Sequence, residues 1–272
     1  MAFPTAPERG RPEFPGGGGA FGAPAPGAPA PGGPPAEPAR RRLGFGLLGP
    51  RRPRHTLGVE QLAAVGLPVG DDGVIIGVDA ADRPAVLGLN RPTPLEMVLV
   101  GGLWLAQVLT LRAAATGTRV AVETGRPQAW STLAQAAGGG QQCVTLHEVG
   151  RVPPLGPSVG APVLVVRDAG GRPPRGRVSA APWQSVLTVL PYLGPNTTRF
   201  LESASLVGVQ RISPEESRLI GRIMAIPATE SQTLPTLADA FALWCTRTHR
   251  QLVMTRPTDS ESGLLGAPRR MD

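Results

Sequence analysis

The sequence predicts an α/β domain of three layers, with a mostly parallel sheet between helices, behind a Pro/Gly/Ala-rich arm. Three observations predict it. From Gly73 onward, apolar runs rich in Val, Leu and Ile alternate with helix-length segments, the pattern of a sheet whose strands are joined by crossover helices. Gly and Pro clusters punctuate those runs where elements should end. Residues 1–54, in contrast, are dominated by stretches such as FPGGGGAFGAPAPGAPAPGGPPAEP, which cannot bury enough apolar surface to offset chain entropy and are expected to be disordered. At 272 residues the chain is therefore read as one domain over 55–256, with an arm before it and a flexible tail, 257–272, after it.

The elements follow in order. VIIGV (74–78), a turn at Ala81-Asp82-Arg83-Pro84 and AVLGL (85–89) predict a β-hairpin. After the breaker Arg91-Pro92-Thr93-Pro94, MVLVGG (97–102) is a continuous apolar run suited to a strand covered on both faces. Leu103 to Thr116 has helical composition and stops at Gly117. TRVAVET (118–124) is the next strand, and Pro127 to Ala137 a short helix closed by Gly138-Gly139-Gly140. CVTLHEV (143–149) and PVLVVRD (162–168) continue the alternation, and QSVLTVL (184–190), after a Pro- and Arg-rich loop, has the mixed polarity of an edge strand. SLVGVQR (205–211) is apolar again. Ser213-Pro214-Glu215-Glu216 supplies an N-cap, a Pro at the first helical position and acids in the first turn, opening a helix to about Met224. AFALWCTR (240–247) and RQLVMTR (250–256) predict an antiparallel hairpin.

Composition removes several chemistries. All 27 basic residues are Arg, so there is no ammonium group for a Schiff base, a Lys general base or a phosphate-binding loop. The net charge of +7 belongs mostly to the arm, where eight Arg face three acids, against nineteen and seventeen in the remainder. Cys143 and Cys245 lack neighbouring Cys and read as buried thiols in a reducing compartment. His55, His147 and His249 lack the spacing of a metal pair, and none sits where a triad base would, so no catalytic residue and no metal site are expected. Met97 to Leu111 falls short of the roughly 20 residues that span a bilayer. A strand running into a buried helix fits it better. The N-terminus has no apolar stretch of a signal peptide, and a cytoplasmic location follows as an expectation.

The order of pieces from Ile75 onward (hairpin, strand with Gly-Gly, helix, further βα units, late strand-to-helix step) resembles P-loop ATPase domains of the FtsK and EccC type. Val100-Gly101-Gly102-Leu103-Trp104-Leu105-Ala106-Gln107 stands in the place of the phosphate loop without its Lys or its Ser/Thr. Asp168 resembles an acidic metal-holding residue after an apolar strand, or a turn former before Ala169-Gly170-Gly171. Gln210 and Arg211 stand where such ATPases often place phosphate-sensing groups. The wording LVGGLWLAQVLTLRAAATGTRVAVETGRPQAW, Pro182-Trp183-Gln184 and Gln210-Arg211 before the Ser-Pro-Glu-Glu helix start is similar to the cytosolic region of EccE-type proteins of the actinobacterial ESX (type VII) secretion machinery, over roughly residues 70–270. The resemblance implies a non-ATPase partner of a membrane-embedded complex. EccE proteins carry N-terminal transmembrane helices where this chain has the Pro/Gly/Ala arm.

Two function classes stand at this point. The first is a non-catalytic assembly or regulatory component without cofactor, whose protein partner is a secretion ATPase or a membrane component; Arg40, Arg41, Arg42, Arg51, Arg52 and Arg54 would add weak contact with an anionic membrane at its inner face. The second is a nucleotide-binding enzyme or sensor using Gly101, Gly102, Glu123 and Asp168 at the carboxyl edge of the sheet, with Glu123 placed to hold a ribose. Trp104 and Trp244 read as core, and Trp130 and Trp183 as candidate interface anchors. Aromatics make up 4% of the chain and none lies in a basic cluster, so no specific nucleic-acid contact is expected.

Overall fold

A computed structural model describes residues 73–270 apart from 139–141, 173, 175, 177, 179, 180, 195 and 196. The arm and its six clustered arginines lie outside the described residues. Strands β1 (Val74–Val78) and β2 (Pro84–Leu87) form the first hairpin, antiparallel, with Ile75 opposite Val86. β3 (Leu95–Val100) leads through Gly101-Gly102 into helix α1 (Leu103–Ala115). Then come β4 (Arg119–Thr124), α2 (Pro127–Ala136), β5 (Val144–His147), β6 (Val163–Asp168) and β7 (Gln184–Leu190). The chain continues through α3 (Thr198–Ser203), β8 (Leu206–Val209) and α4 (Pro214–Ile223), with the capping box of Ser213 and Glu216 in place. Two short turns, α5 (Ala228–Ser231) and a 3₁₀ turn (Leu234–Thr236), precede the second hairpin, β9 (Phe241–Cys245) and β10 (Arg250–Met254), and α6 (Asp259–Leu265) closes the run.

All ten strands share one sheet in the order β2-β1-β10-β9-β8-β3-β7-β6-β4-β5. From β8 to β5 every pairing is parallel, and from β8 back to β2 every pairing is antiparallel. The α/β class with a mostly parallel sheet is thus the observed one, and the two hairpins extend that sheet. Helices α1, α2 and α6 cover one face over Met97, Leu99, Val122, Val166 and Leu187. On the other face α3 and α4 bury Val98, Val100, Val207, Val209 and Leu243. Period-2 alternation along the strands sorts residues between these two cores.

Two expectations are corrected. QSVLTVL is an interior strand: β7 pairs with β3 on one side and β6 on the other. Its polar residues suggested an edge, yet Gln184, Ser185 and Thr188 are buried, and the Ser185 hydroxyl donates to the Leu89 carbonyl at 2.6 Å. Residues 257–270 are not a loose tail. α1 is apolar on nearly all sides, with Leu103 to Thr110 buried throughout, and a helix of that kind needs cover on the side away from the sheet. α6 supplies it, with Leu265 buried against α1 and the Trp104 indole N–H donating to the Gly266 carbonyl at 3.1 Å. A second capping box, Thr258 with Glu261, starts α6. Arg112 of α1 ties the corner together, bonding Glu261 at 2.7 and 2.9 Å and the carbonyls of Ile75 and Arg256.

Among the described residues no helix is long and apolar enough to cross a membrane. Met97 to Leu111 is divided between β3 and α1.

Candidate functional site at the carboxyl edge of the parallel strands

In an open α/β sheet, ligands bind outside the carboxyl ends of the strands where neighbouring strands send their connections in opposite directions. Here those neighbours are β3 and β8: the chain leaves β3 toward β4 and leaves β8 toward β9, on opposite sides of the pair. The crevice between their carboxyl ends holds Gly101, Gly102, the N-terminus of α1 and Gln210. In a nucleotide site this is where backbone N–H groups would point at phosphate.

The chain fills that crevice itself. Gln210 is 1% exposed; its Oε1 accepts from the Gly102 N–H at 2.7 Å and its Nε2 donates to the Asp239 carbonyl at 3.0 Å. The Gly101 N–H donates to the Leu190 carbonyl. Above them lies the C-terminal segment. Arg270 is buried, and its guanidinium donates to the carbonyls of Arg211 and Pro191, which begin the loops leaving β8 and β7. The glycine pair is explained by this crowding. A Cβ at Gly101 would stand 2.5 Å from Gln210 Oε1, and one at Gly102 would stand 2.5 Å from the Arg270 carbonyl oxygen. The close approach that glycine allows at this turn serves the protein's own C-terminal segment and the amide of Gln210.

Asp168, at the end of β6, is fully buried on the α1/α2 side of the sheet. Its carboxylate accepts from Trp130 Nε1 at 2.7 Å, Arg126 Nε at 2.9 Å, Thr124 Oγ1 at 3.3 Å and the Gly170 N–H at 3.2 Å. The turn-former reading holds in its Gly170 bond, and the larger role is to join β6 to the start of α2. Trp130 is accordingly core, fully buried, and not an interface anchor, because its indole N–H satisfies that carboxylate. Trp183 is half-buried with a left-handed backbone, φ 63°, its N–H bonded to the Arg91 carbonyl.

Glu123 points to the opposite face. It sits in register with Arg167 across β4 and β6, and takes Arg167 Nε at 2.7 Å and the Gly150 N–H at 2.9 Å. Both members of this ion pair are buried. β7 and β6 separate β3 from β4, so Gly102 and Glu123 stand three strand spacings apart, about 14 Å. Asp168 is two spacings from β3, about 10 Å. The four residues of the nucleotide reading therefore lie along one edge without converging, and Glu123 and Asp168 are occupied by side chains of this chain.

His147 shares a hydrogen bond with Thr145 on edge strand β5, and His249 lies exposed in the β9–β10 turn against Thr248. Among the described residues no three His, Cys, Asp or Glu side chains are grouped to hold a metal ion. The Cys245 thiol is pushed up to about 12 by burial, with Arg250 opposing. Sequence reasoning missed Arg270 altogether and the capping part of Gln210. The α6 signal that would have placed Arg270 is present as Thr258-Asp259-Ser260-Glu261 before Leu264-Leu265.

No family model matches the chain, and no curated protein is similar to it in sequence. Solved structures of similar shape include VirB4 of Thermoanaerobacter pseudethanolicus (TM-score 0.48, 8% identity, 71% of this chain and 98% of that one). The genome packaging NTPase B204 of Sulfolobus turreted icosahedral virus 2, in complex with AMP, is similar at TM-score 0.43 and 9% identity, over 63% of this chain and 100% of that one. The cytoplasmic domain of the Thermomonospora curvata type VII secretion ATPase EccC is similar at TM-score 0.45 and 14% identity, over 77% of this chain and 33% of that one. At identities and scores this low, the three say nothing of what this chain binds or does.

Proposed function

We propose that the chain is a non-catalytic assembly or regulatory component of a type VII-like protein secretion machinery, engaging a secretion ATPase or a membrane component through protein contacts. One observation carries the non-catalytic part. The crevice where an α/β sheet of this order would take a phosphate is filled by Gln210 and the segment carrying Arg270, and no Lys exists to hold the charge. The secretion part is supported by the EccE-like wording over roughly residues 70–270. The clustered arginines of the arm add affinity for an anionic membrane surface.

The test is thermal unfolding of the full chain with and without ATP, GTP, NAD and Mg²⁺. A nucleotide at a hundred times its dissociation constant would add about 2.7 kcal/mol to stability, a rise of several degrees. We expect no rise; a clear one with any nucleotide sinks the non-catalytic reading and sends attention to Gly101 and Gly102. The partner half is tested separately, by co-elution of the full chain with the cytosolic part of an EccC-type ATPase. Independent elution at micromolar concentration counts against that partner.

A further inference from the structure

We infer that a cavity on the α3 side of the sheet, apart from the crevice between β3 and β8, binds a small zwitterion: a free amino acid with an apolar side chain. The cavity has a volume of about 260 Å³, at the small end of ligand sites. Strand register builds its floor. Glu96 and Val98 of β3 stand opposite Val186 and Thr188 of β7, and Thr188 also stands opposite Arg167 of β6. Alternation along the strands turns these side chains to one face. Phe200 of α3 forms a further wall, with Arg199 at the rim. Arg167 is held by Glu123 and the Gly176 carbonyl and so belongs to the floor.

The other polar groups of this cavity are not used within the described residues. Thr188 is 5% exposed, yet its hydroxyl meets no donor or acceptor among them. Glu96 is half-buried on an interior strand between β7 and β8, and no described cation pairs with its carboxylate. Arg199 sits over the Phe200 ring, 4.9 Å from its centroid, and no described acid pairs with it. Groups withdrawn from water normally have partners, and a carboxylate without one is the costlier case. Two opposite charges therefore line one cavity without forming an ion pair with each other. A lone cation or a lone anion would match one of them and leave the other. An amino acid matches both: its ammonium donates to Glu96 and Thr188, and its carboxylate accepts from the N–H edge of Arg199. Val98, Val186 and Phe200 leave an apolar surface for its side chain.

Calorimetric titration of the full chain with L-valine and L-leucine at millimolar concentration tests this. We expect one of them to bind. Its methyl ester, which lacks the carboxylate charge, and its N-acetyl derivative, which lacks the ammonium, should each bind more weakly by about tenfold or more, the worth of one charge-assisted hydrogen bond. Glu96→Gln and Arg199→Gln should weaken the parent amino acid by a similar factor, and Arg222→Gln on α4 should leave it unchanged. The inference is overturned if neither amino acid binds, or if the ester and the N-acetyl derivative bind as tightly as the parent. The derivatives report on the unaltered chain, so this outcome stands even where a variant fails to fold. A folded Glu96→Gln chain with undiminished affinity overturns it as well.

Discussion

Asp168 shows how much one residue can hold in this protein. Buried with Arg126, Trp130 and Thr124 donating to it, it is the kind of carboxylate whose removal strands its partners in a low-dielectric site. Asp168→Ala should destabilise the chain by about 3–5 kcal/mol, read as a lowered denaturant midpoint. Trp130→Phe, which leaves the carboxylate short of one donor, should cost about 1–3 kcal/mol. Equal stability of Asp168→Ala and the unaltered chain would contradict the assignment. At the crevice, Gly102→Ala places a methyl 2.5 Å from the Arg270 carbonyl; the expected cost is about 1–3 kcal/mol, with faster proteolysis beyond Gly266 as its specific sign. Gln210 and Arg211 were legible as polar residues ending a strand, but their orientation was not. Which backbone group Gln210 caps depends on β8 lying beside β3, a pairing that joins residues more than a hundred positions apart.

At the level of elements, local signals served well where they were read. The Ser213 and Thr258 capping boxes are the same device, and Ser213→Ala and Thr258→Ala should each cost about 1 kcal/mol. The two differ in consequence: Thr258→Ala should also loosen the segment carrying Gly266 and Arg270, visible as faster amide exchange there, whereas Ser213→Ala should leave it protected. β7 marks the limit of local reading. Its polarity is that of an edge strand, and only the knowledge that β3 and β6 flank it makes Gln184, Ser185 and Thr188 buried interior residues. α1 carries the opposite lesson, because LWLAQVLTL is apolar all round and so already demands cover on two sides.

Across the whole molecule, the Arg112–Glu261 pair fastens α6 and the C-terminal segment to α1 and β1. Burial alone would raise the Glu261 carboxyl, but the Arg112 hydrogen bond, the Thr258 N–H and the Arg112 charge hold it below its ordinary 4.5. A carboxyl depressed in the folded state stabilises fully above its unfolded value and loses that contribution as pH falls through the lower folded one. Acid titration should therefore show an unfolding step below pH 4.5 that Glu261→Gln diminishes. Thiol labelling gives an independent check on packing. Half-buried Cys143 should react with iodoacetamide in the folded chain, and Cys245, fully buried with its thiol pushed up to about 12, only on unfolding.

The α/β class, both hairpins, the starts of α2 and α4, and the lack of the charge a phosphate loop requires were all readable from the order of residues. Those features are written in periodicity, caps, breakers and residue types, which act over a few positions. Tertiary structure alone decided that β7 is central, that Glu123 and Asp168 face opposite sides and stand apart from Gly102, and that Arg270 and Gln210 fill the crevice. Each of these follows from strand order, and strand order is set by burying two apolar faces of one sheet at once, an energy no local segment contains.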